Sequence, residues 1–228
     1  NPLPEELTDV ELGWRHQKST LQVIANAYFM DYTNQLVLTG AIDEVGAPIR
    51  TNSGSSYRLG VELELSWIMS EQWQWQSNLT LSENKNRDFF FERDGKLQDL
   101  GDTNLSFSPN VVGGSQLSYS PTKDLTVSLF SKYVGEQYLG NIDSALSKLA
   151  AYSTQDINIQ YTIAPSWCES LQLQLLFNNV LDEKYTSNGY FYTYDDDWTN
   201  PGMITTIEGV GYYPQAGFHF MAGTKIRF

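Results

Sequence analysis

The chain has 228 residues, enough for one sizeable domain, and its 27 Asp and Glu outnumber 14 Lys and Arg, giving a net charge of -13. This acidic balance argues against a nucleic-acid partner, which would need a basic patch. No apolar run in the sequence approaches the roughly 18 residues that a membrane helix requires. The single Cys168 permits no internal disulfide and is interpreted as an incidental thiol. Because the sequence has no starting Met and no visible signal peptide, we expect a processed, engineered or incomplete product.

Apolar and polar side chains alternate through most of the chain with a period of two, which predicts β-strands. In chain order the apolar faces lie in segments 10–14, 21–29, 59–67, 73–81, 125–133, 157–163, 171–177 and 218–228. A weaker ninth strand near 110–120 is interrupted by Gly113 and Gly114. None of these apolar faces contains a charged residue, whereas the opposite faces carry Glu11, Arg15, Glu62, Glu64, Lys132, Asp156, Lys225 and Arg227. The mean hydropathy of -0.36 is that of a soluble protein, but this average misleads for a barrel, because lipid-facing and lumen-facing residues alternate and cancel.

The predicted links between strands alternate strictly between short and long. The short links fall at about 15–19, 69–72, 120–124 and 164–170. The long links fall at about 33–56, 83–109, 139–151 and 181–215. Membrane barrels have short periplasmic turns and long extracellular loops in this order, which a soluble β-sandwich has no reason to keep. The soluble sandwich stays as the alternative fold.

Aromatic residues gather at both ends of the predicted strands. The lower belt, beside the short turns, consists of Trp14, Trp67, Trp73, Tyr119, Tyr161 and Phe228. The upper belt, towards the long loops, consists of Tyr57, Tyr133 and Tyr152. Two such belts are typical of the two membrane interfaces.

The predicted strand count of about nine is odd, whereas a complete single-chain bacterial barrel has an even number of strands. The two ends of the predicted sheet also lie on opposite sides of the membrane. We therefore expect a fragment that is cut in an extracellular loop before Glu5, so that residues 1–228 form the C-terminal segment of a larger barrel.

Several segments resemble the TonB-dependent outer-membrane receptors. The matching stretches are PEELTDVELGW (4–14), NSGSSYRLGVELEL (52–65), FNNVLDEKY (177–185) and the closing strand AGFHFMAGTKIRF (216–228). The stretch YFMDYTNQLVLTG (28–40) further resembles receptors from Bacteroidetes. The resemblance implies an all-β, antiparallel transmembrane barrel of roughly 22 strands with a plugged lumen, of which this chain is the C-terminal portion.

The resemblance also implies a function and a set of partners. The chain would be part of an active transporter in the Gram-negative outer membrane that takes up a scarce nutrient. An iron chelate is favoured, and cobalamin or a glycan are the alternatives. The implied partners are outer-membrane lipid, the N-terminal remainder of the barrel with its plug domain, the TonB energy-coupling complex through that missing part, and the barrel-assembly machinery. A passive porin or a surface adhesin is the alternative function.

Two groups of residues are candidates for function. The loop after the penultimate strand is rich in aromatic rings, which suit a bulky ligand, and in carboxylates, which suit a hard cation. Its candidate ligand-binding residues are Tyr190, Tyr192, Tyr194, Asp195, Asp196, Asp197 and Trp198. The run of three Asp lacks the spacing of a Ca²⁺ loop, so we predict no metal site, and a solvated mobile loop is the alternative. The resemblance assigns Gly223, Ile226 and Phe228 to the C-terminal signal for barrel assembly.

The sequence offers little support for an enzyme or a cofactor. His16 is expected in a short turn and His219 on the lumen face of the last strand. A hydrolase triad would need one of these two histidines at an accessible site with a partner. The chain contains no Walker loop, paired CxxC or dinucleotide fingerprint. We therefore predict a protein that is not an enzyme and binds no cofactor.

Overall fold

The computed structural model describes residues 3–42, 45, 48–52 and 54–228. Nine long strands form the main sheet, and each pairs antiparallel with the next one along the chain. In chain order they are β1 (Glu6–Gln17), β2 (Leu21–Thr33), β3 (Ser55–Ile68), β4 (Trp73–Arg87), β5 (Val111–Tyr119), β6 (Leu125–Val134), β7 (Tyr152–Ile163), β8 (Ser170–Asn178) and β9 (His219–Arg227). The predicted all-β, antiparallel fold is confirmed, and the weak strand with Gly113 and Gly114 forms β5 in full register with its neighbours.

The pairing register keeps one face of the sheet apolar and the other polar. Leu63 lies opposite Ala25 and Leu79, whereas the adjacent Glu62 lies opposite Asn26 and Thr80 on the other face. A slip of one residue would exchange the two faces and put the glutamate among the apolar side chains. The register therefore preserves the apolar and polar faces that the sequence predicted.

Short turns and long loops alternate along the meander. The turns are T1 (18–20), T2 (69–72), T3 (120–124) and T4 (164–169). The loops are L1 (34–54), L2 (88–110), L3 (135–151) and L4 (179–218). All four turns lie at one end of the strands and all four loops at the other end, which is the extracellular end in bacterial barrels.

Two expectations about the ends of the strands are wrong. His16 does not lie in a turn but inside β1, where it is paired with Val23, because β1 and β2 stay in register down to the three-residue turn T1. Its ring stacks on Trp14, with a centroid distance of 6.0 Å. Tyr152 does not lie in the upper aromatic belt, on the lipid-facing side of the sheet. It points to the inner face, where its buried ring stacks on the ring of Tyr185 with a centroid distance of 4.3 Å.

The inner, polar face of the sheet is concave. A cavity of about 790 Å³ runs along it from Gln22 on β2 to Asp156 on β7 and is lined mainly by amides, hydroxyls, Glu64 and Lys132. The outer face keeps its rows of apolar side chains exposed. This arrangement is the reverse of a soluble protein and matches a barrel wall with lipid outside and a polar lumen inside.

The long loops fold into further structure. Short strands lie at Leu36–Ile42, Pro48–Asn52, Phe90–Arg93, Lys96–Asp99, Thr103–Asn104, Gln137–Tyr138, Lys148–Leu149, Thr186–Asp196 and Thr205–Pro214, and one 3₁₀ turn lies at Ala145–Ser147. Val37, Phe89, Leu105 and Ile142, which come from three different loops, form a buried apolar cluster. The long links predicted at 83–109 and 181–215 thus contribute packed residues, among them Phe89, Leu105 and Phe191. In the part of the chain that the structure covers, no helix is long and apolar enough to cross a membrane.

Candidate functional site in the extracellular loops

The richest site is the L4 hairpin, which consists of strands Thr186–Asp196 and Thr205–Pro214. Ten residue pairs join the two strands in antiparallel register. Alternate side chains point to opposite faces. The even residues Tyr190, Tyr192 and Tyr194 therefore share one face, and the odd residues Phe191 and Thr193 share the other.

The even face carries a row of parallel rings, here called the aromatic ladder: Tyr190, Tyr192, Tyr194 and Trp198. Successive ring centroids are 6.2, 6.4 and 6.1 Å apart, and successive ring planes differ by only 19°, 18° and 7°. Tyr213 adds a tilted ring 6.0 Å from Tyr190. Of the ladder residues, Tyr190 is 50% exposed and Trp198 is 65% exposed.

Two glycines on the second strand make room for the rings of this ladder. Tyr190 pairs with Gly211 and Tyr192 pairs with Gly209. A Cβ at Gly211 would clash with Cζ of Tyr190, and one at Gly209 would clash with Cζ of Tyr192. The tyrosine rings thus lie across the bare glycine backbone, and any larger residue would push them off the strand.

The odd face attaches the hairpin to L2 and L3. Phe191 packs against the buried loop cluster and lies on Gly140. Glu208, whose side chain is 14% exposed, accepts a hydrogen bond from Arg93 of L2 at 2.5 Å and another from the hydroxyl of Ser144 in L3. One carboxylate therefore ties three loops together.

A second tie joins the tip of the L2 hairpin to L4. Asp94 and Gly95 form its two-residue turn, both at positive φ, which is the conformation that Asp-Gly favours. The backbone N–H of Asp94 donates to Thr206 Oγ1, and Oδ1 of Asp94 accepts from the backbone N–H of Thr206, both at 2.8 Å. Although Asp94-Gly95 is a hairpin signal in the sequence, the L2 hairpin was not predicted.

The three consecutive aspartates do not converge on one point. Asp195 accepts a hydrogen bond from the Thr206 hydroxyl at 2.7 Å. Asp196 accepts from the backbone N–H groups of Trp198 and Thr199 at 3.2 and 3.0 Å, and its hydrogen bonds with Thr199 lead those that lower the pKa of its carboxyl. Asp197 is exposed. Within the described residues no three His, Cys, Asp or Glu side chains are grouped so that they could hold a metal ion.

A cavity of about 670 Å³ opens where L1, L2 and L4 meet. Its lining includes Asn52 of L1, Arg87 at the top of β4, Phe90 of L2 and Tyr194 of L4. Of the seven predicted binding residues, the structure brings Tyr190, Tyr192, Tyr194 and Trp198 into the ladder, places Tyr194 and Asp195 at this cavity, and leaves Asp196 in a local turn and Asp197 in solvent. The contributions of Gly209, Gly211, Arg93 and Glu208 were not predicted.

The remaining candidates lie elsewhere. His219 is at the start of β9, where its Nδ1 is 2.9 Å from the carbonyl oxygen of Gly217. Among the described contacts neither histidine is hydrogen-bonded to a serine or a carboxylate.

Ile226 and Phe228 lie on the apolar face at the end of β9, and Phe228 is 87% exposed with its ring 6.5 Å from Trp167. Gly223 lies opposite Gln174 on the polar face.

An antiparallel meander with an apolar outer face, a polar concave inner face and loops gathered at one edge defines a β-barrel of the Gram-negative outer membrane. Residues 1–180 match the family described as "TonB dependent receptor-like, beta-barrel", and the chain belongs to this family. It is a family of receptors and transporters and not of enzymes. The match ends at residue 180, so most of L4 and all of β9 lie outside it.

Solved structures share the fold. The ferric yersiniabactin uptake receptor FyuA from Yersinia pestis is 19% identical, with a TM-score of 0.69 over 98% of this chain and 30% of the receptor. The ferric-catecholate import receptor Fiu from E. coli K12 is 18% identical, with a TM-score of 0.69 over 99% of this chain and 28% of the receptor. The copper transporter OprC is 18% identical, with a TM-score of 0.69 over 98% of this chain and 32% of the transporter. The chain thus spans about a third of the length of these proteins or less, and no curated protein matches its sequence.

Proposed function

We propose that this chain forms the last nine strands of a TonB-dependent active transporter that binds a scarce nutrient outside the cell and takes it up through the outer membrane. The observation that carries the proposal is the family match over residues 1–180 together with the two-faced, nine-strand sheet. The names of FyuA and Fiu, both receptors for ferric chelates, favour an iron chelate as the cargo. Cobalamin and glycans remain alternatives, and OprC is named for copper.

The edges of the sheet support a larger barrel. In the described structure β1 and β9 each pair with a single neighbour and not with each other. An open edge presents a row of unpaired N–H and C=O groups, which are costly in hydrocarbon. In our proposal further strands complete the barrel between these two edges, as the length of the structural neighbours suggests, and a plug domain fills the lumen.

The proposal assigns the extracellular loops to ligand capture. The loops are packed on each other by the buried apolar cluster and by Glu208, so they hold a defined surface above the lumen. The aromatic ladder and the cavity at Tyr194 are the surfaces that a ligand would meet first. Energy from the inner-membrane TonB complex would then drive release into the lumen.

Uptake in whole cells tests the proposal. The full-length protein is expressed in a Gram-negative strain that lacks its own receptors, and uptake of ferric citrate, a ferric catecholate, a ferric hydroxamate, cobalamin and neutral hexasaccharides is measured. We expect uptake of at least one of these, and we expect it to stop in a matched strain without the energy-coupling complex. Uptake that continues unchanged in that strain would identify a passive porin instead.

A further inference from the structure

On the exposed face of the L4 hairpin, the ladder residues lie outside the buried loop cluster. The hairpin is held on the face of Phe191 by Phe191, Thr206 and Glu208. Its first strand also pairs with the L1 strand Leu36–Ile42, with Thr193 opposite Ala41. The ladder on the even face leaves Tyr190 half exposed and Trp198 more so. A contiguous exposed aromatic surface of this kind marks a site of interaction.

The geometry of the ladder restricts the shape of what can bind. Its four near-parallel rings follow one another from Tyr190 to Trp198, and the distances between successive ring centroids are nearly equal. The rings of Tyr192 and Tyr190 rest on the backbone of Gly209 and Gly211, which fixes their positions, so the surface is preorganised. A compact chelate fits a concave pocket, whereas a line of flat rings matches a ligand that is itself a line of linked, flat-faced rings.

The charge around the ladder restricts the chemistry further. The four long loops contain 15 Asp and Glu against 5 Lys and Arg. Asp195, Asp196 and Asp197 sit beside Tyr194 and Trp198 in the sequence and in the hairpin. A negative field of this kind repels anionic ligands and slows their association. Carboxylates and tyrosine hydroxyls do accept hydrogen bonds from the hydroxyl groups of a neutral ligand.

We propose that the aromatic ladder Tyr190–Tyr192–Tyr194–Trp198 is the binding surface for an uncharged oligosaccharide of several linked sugar rings. The weakly positive C–H groups on the face of each sugar lie on the negative faces of the aromatic rings. The exposed carboxylate of Asp197 and the tyrosine hydroxyls receive hydrogen bonds from the sugar hydroxyls. This inference rests on the proposed function, since it names the class of cargo that the loops capture, and it selects the glycan over the iron chelate.

The test measures binding to the full-length receptor in detergent, in the absence of any energy source. The probes are linear hexasaccharides of glucose, xylose and mannose, the three single sugars, and ferric citrate as an anionic chelate. We expect at least one hexasaccharide to bind and to quench tryptophan fluorescence, while its single sugar binds at least ten-fold more weakly. Ferric citrate should not compete.

Variants assign the binding to the ladder. Tyr192→Ala and Trp198→Ala should each weaken hexasaccharide binding about ten-fold, which corresponds to about 1.4 kcal/mol. Tyr192→Phe keeps the ring and loses one hydrogen-bonding hydroxyl, so it should weaken binding about three-fold, less than Tyr192→Ala. Tyr212→Phe is the matched control, because Tyr212 lies on the opposite face and donates to the carbonyl oxygen of Leu146.

Several results would overturn the inference. They are no binding of any hexasaccharide, binding that survives both alanine variants, ladder-dependent binding of ferric citrate, or a Tyr190→Cys side chain that a membrane-impermeant thiol reagent cannot reach in intact cells because other loops cover it. Energy-dependent uptake of an iron chelate alongside no sugar binding would refute this inference and leave the proposed function standing. Sugar binding without energy-dependent uptake would support this inference and refute the proposed function of active transport.

Discussion

Leu173 and Leu175 lie on the outer face of β8 at two different depths in the membrane. The same substitution at each position therefore shows how its cost depends on depth. Both are 41% exposed, and they lie opposite Tyr161 and Ile159 of β7. On β7, Tyr161 of the lower aromatic belt is eight residues from Ser153, which pairs with Tyr133 of the upper belt. Eight residues rise about 26 Å along a strand, or about 20 Å across a membrane at a tilt near 40°.

These heights give a magnitude for each substitution. Arginine on the lipid face of a barrel costs about 2–4 kcal/mol at the midplane and about 0–1 kcal/mol near an interface. Leu173 lies level with the lower belt, so Leu173→Arg should cost about 1 kcal/mol. Leu175 lies about 5 Å deeper, so Leu175→Arg should cost about 2 kcal/mol, or about 30-fold in the folding equilibrium.

Gln174 is the matched control on the inner face. It lies opposite Gln160 and Gly223, and its amide donates to Asn158 Oδ1 at 3.2 Å. Gln174→Arg faces polar groups and should cost less than about 0.5 kcal/mol, as surface substitutions usually do.

The assay is the unfolding free energy of the full-length protein in lipid vesicles, with insertion yield as a second readout. Stability should fall in the order wild type, Gln174→Arg, Leu173→Arg, Leu175→Arg. A lipid-confined quencher should reach a label on Leu173→Cys and not on Gln174→Cys. If both leucine variants match the wild type, or if Gln174→Arg is the most costly, the outer face does not meet lipid and our assignment of the faces fails.

Three further predictions concern the C-terminus and L4. Deleting Phe228 from the full-length protein should lower its level in the outer membrane at unchanged transcript level, and an unchanged level would remove it from the assembly signal. A protease added to intact cells should cut L4 at its exposed tip, 197–204, and spare turn 69–72; cleavage of that turn in unbroken cells would invert the topology. The pKa of the Asp196 carboxyl is lowered in the folded protein. Its hydrogen bonds from the backbone N–H groups of Trp198 and Thr199 are therefore at full strength above the ordinary carboxyl pKa of 3.8, and they weaken only as the pH falls through the lower pKa of the folded state. The amide of Thr199 should therefore keep its protection from hydrogen exchange at pH 5 and lose it in stronger acid, and loss already at pH 5 would contradict the lowered pKa.

The barrel wall could be predicted because its information is local. In 171–177 the polarity of each side chain predicts the face on which it lies. The pairing register then extends this assignment to the two neighbouring strands. The exceptions lie at strand ends. There the residue type of Tyr152 favoured the aromatic belt, although its distance of four residues from Asp156 places it on the inner face, where its ring stacks on Tyr185 of L4.

The loop site could be predicted only in part because its information is distant. The sequence marked Tyr190 to Trp198 as rich in aromatic rings and carboxylates. It did not reveal the L4 hairpin, because Phe191 is apolar like its tyrosine neighbours and hides the period of two. The contact of Arg93 with Glu208 joins residues 115 apart in the chain, and no local pattern encodes such a pair.

The distribution of burial gives the strongest physical argument for the membrane. The buried apolar cluster of this chain, built on Val37, Phe89, Leu105 and Ile142, lies in the loops and not in the sheet. On the sheet, leucines such as Leu63 remain about as exposed as residues on a protein surface, with 40% of their area accessible. A soluble sandwich would bury those rows against a second sheet about 10 Å away. Here the loops have their own core and the sheet leaves its apolar rows for lipid. Substitutions in the loop cluster should therefore alter the surface of the loops without disturbing the barrel wall.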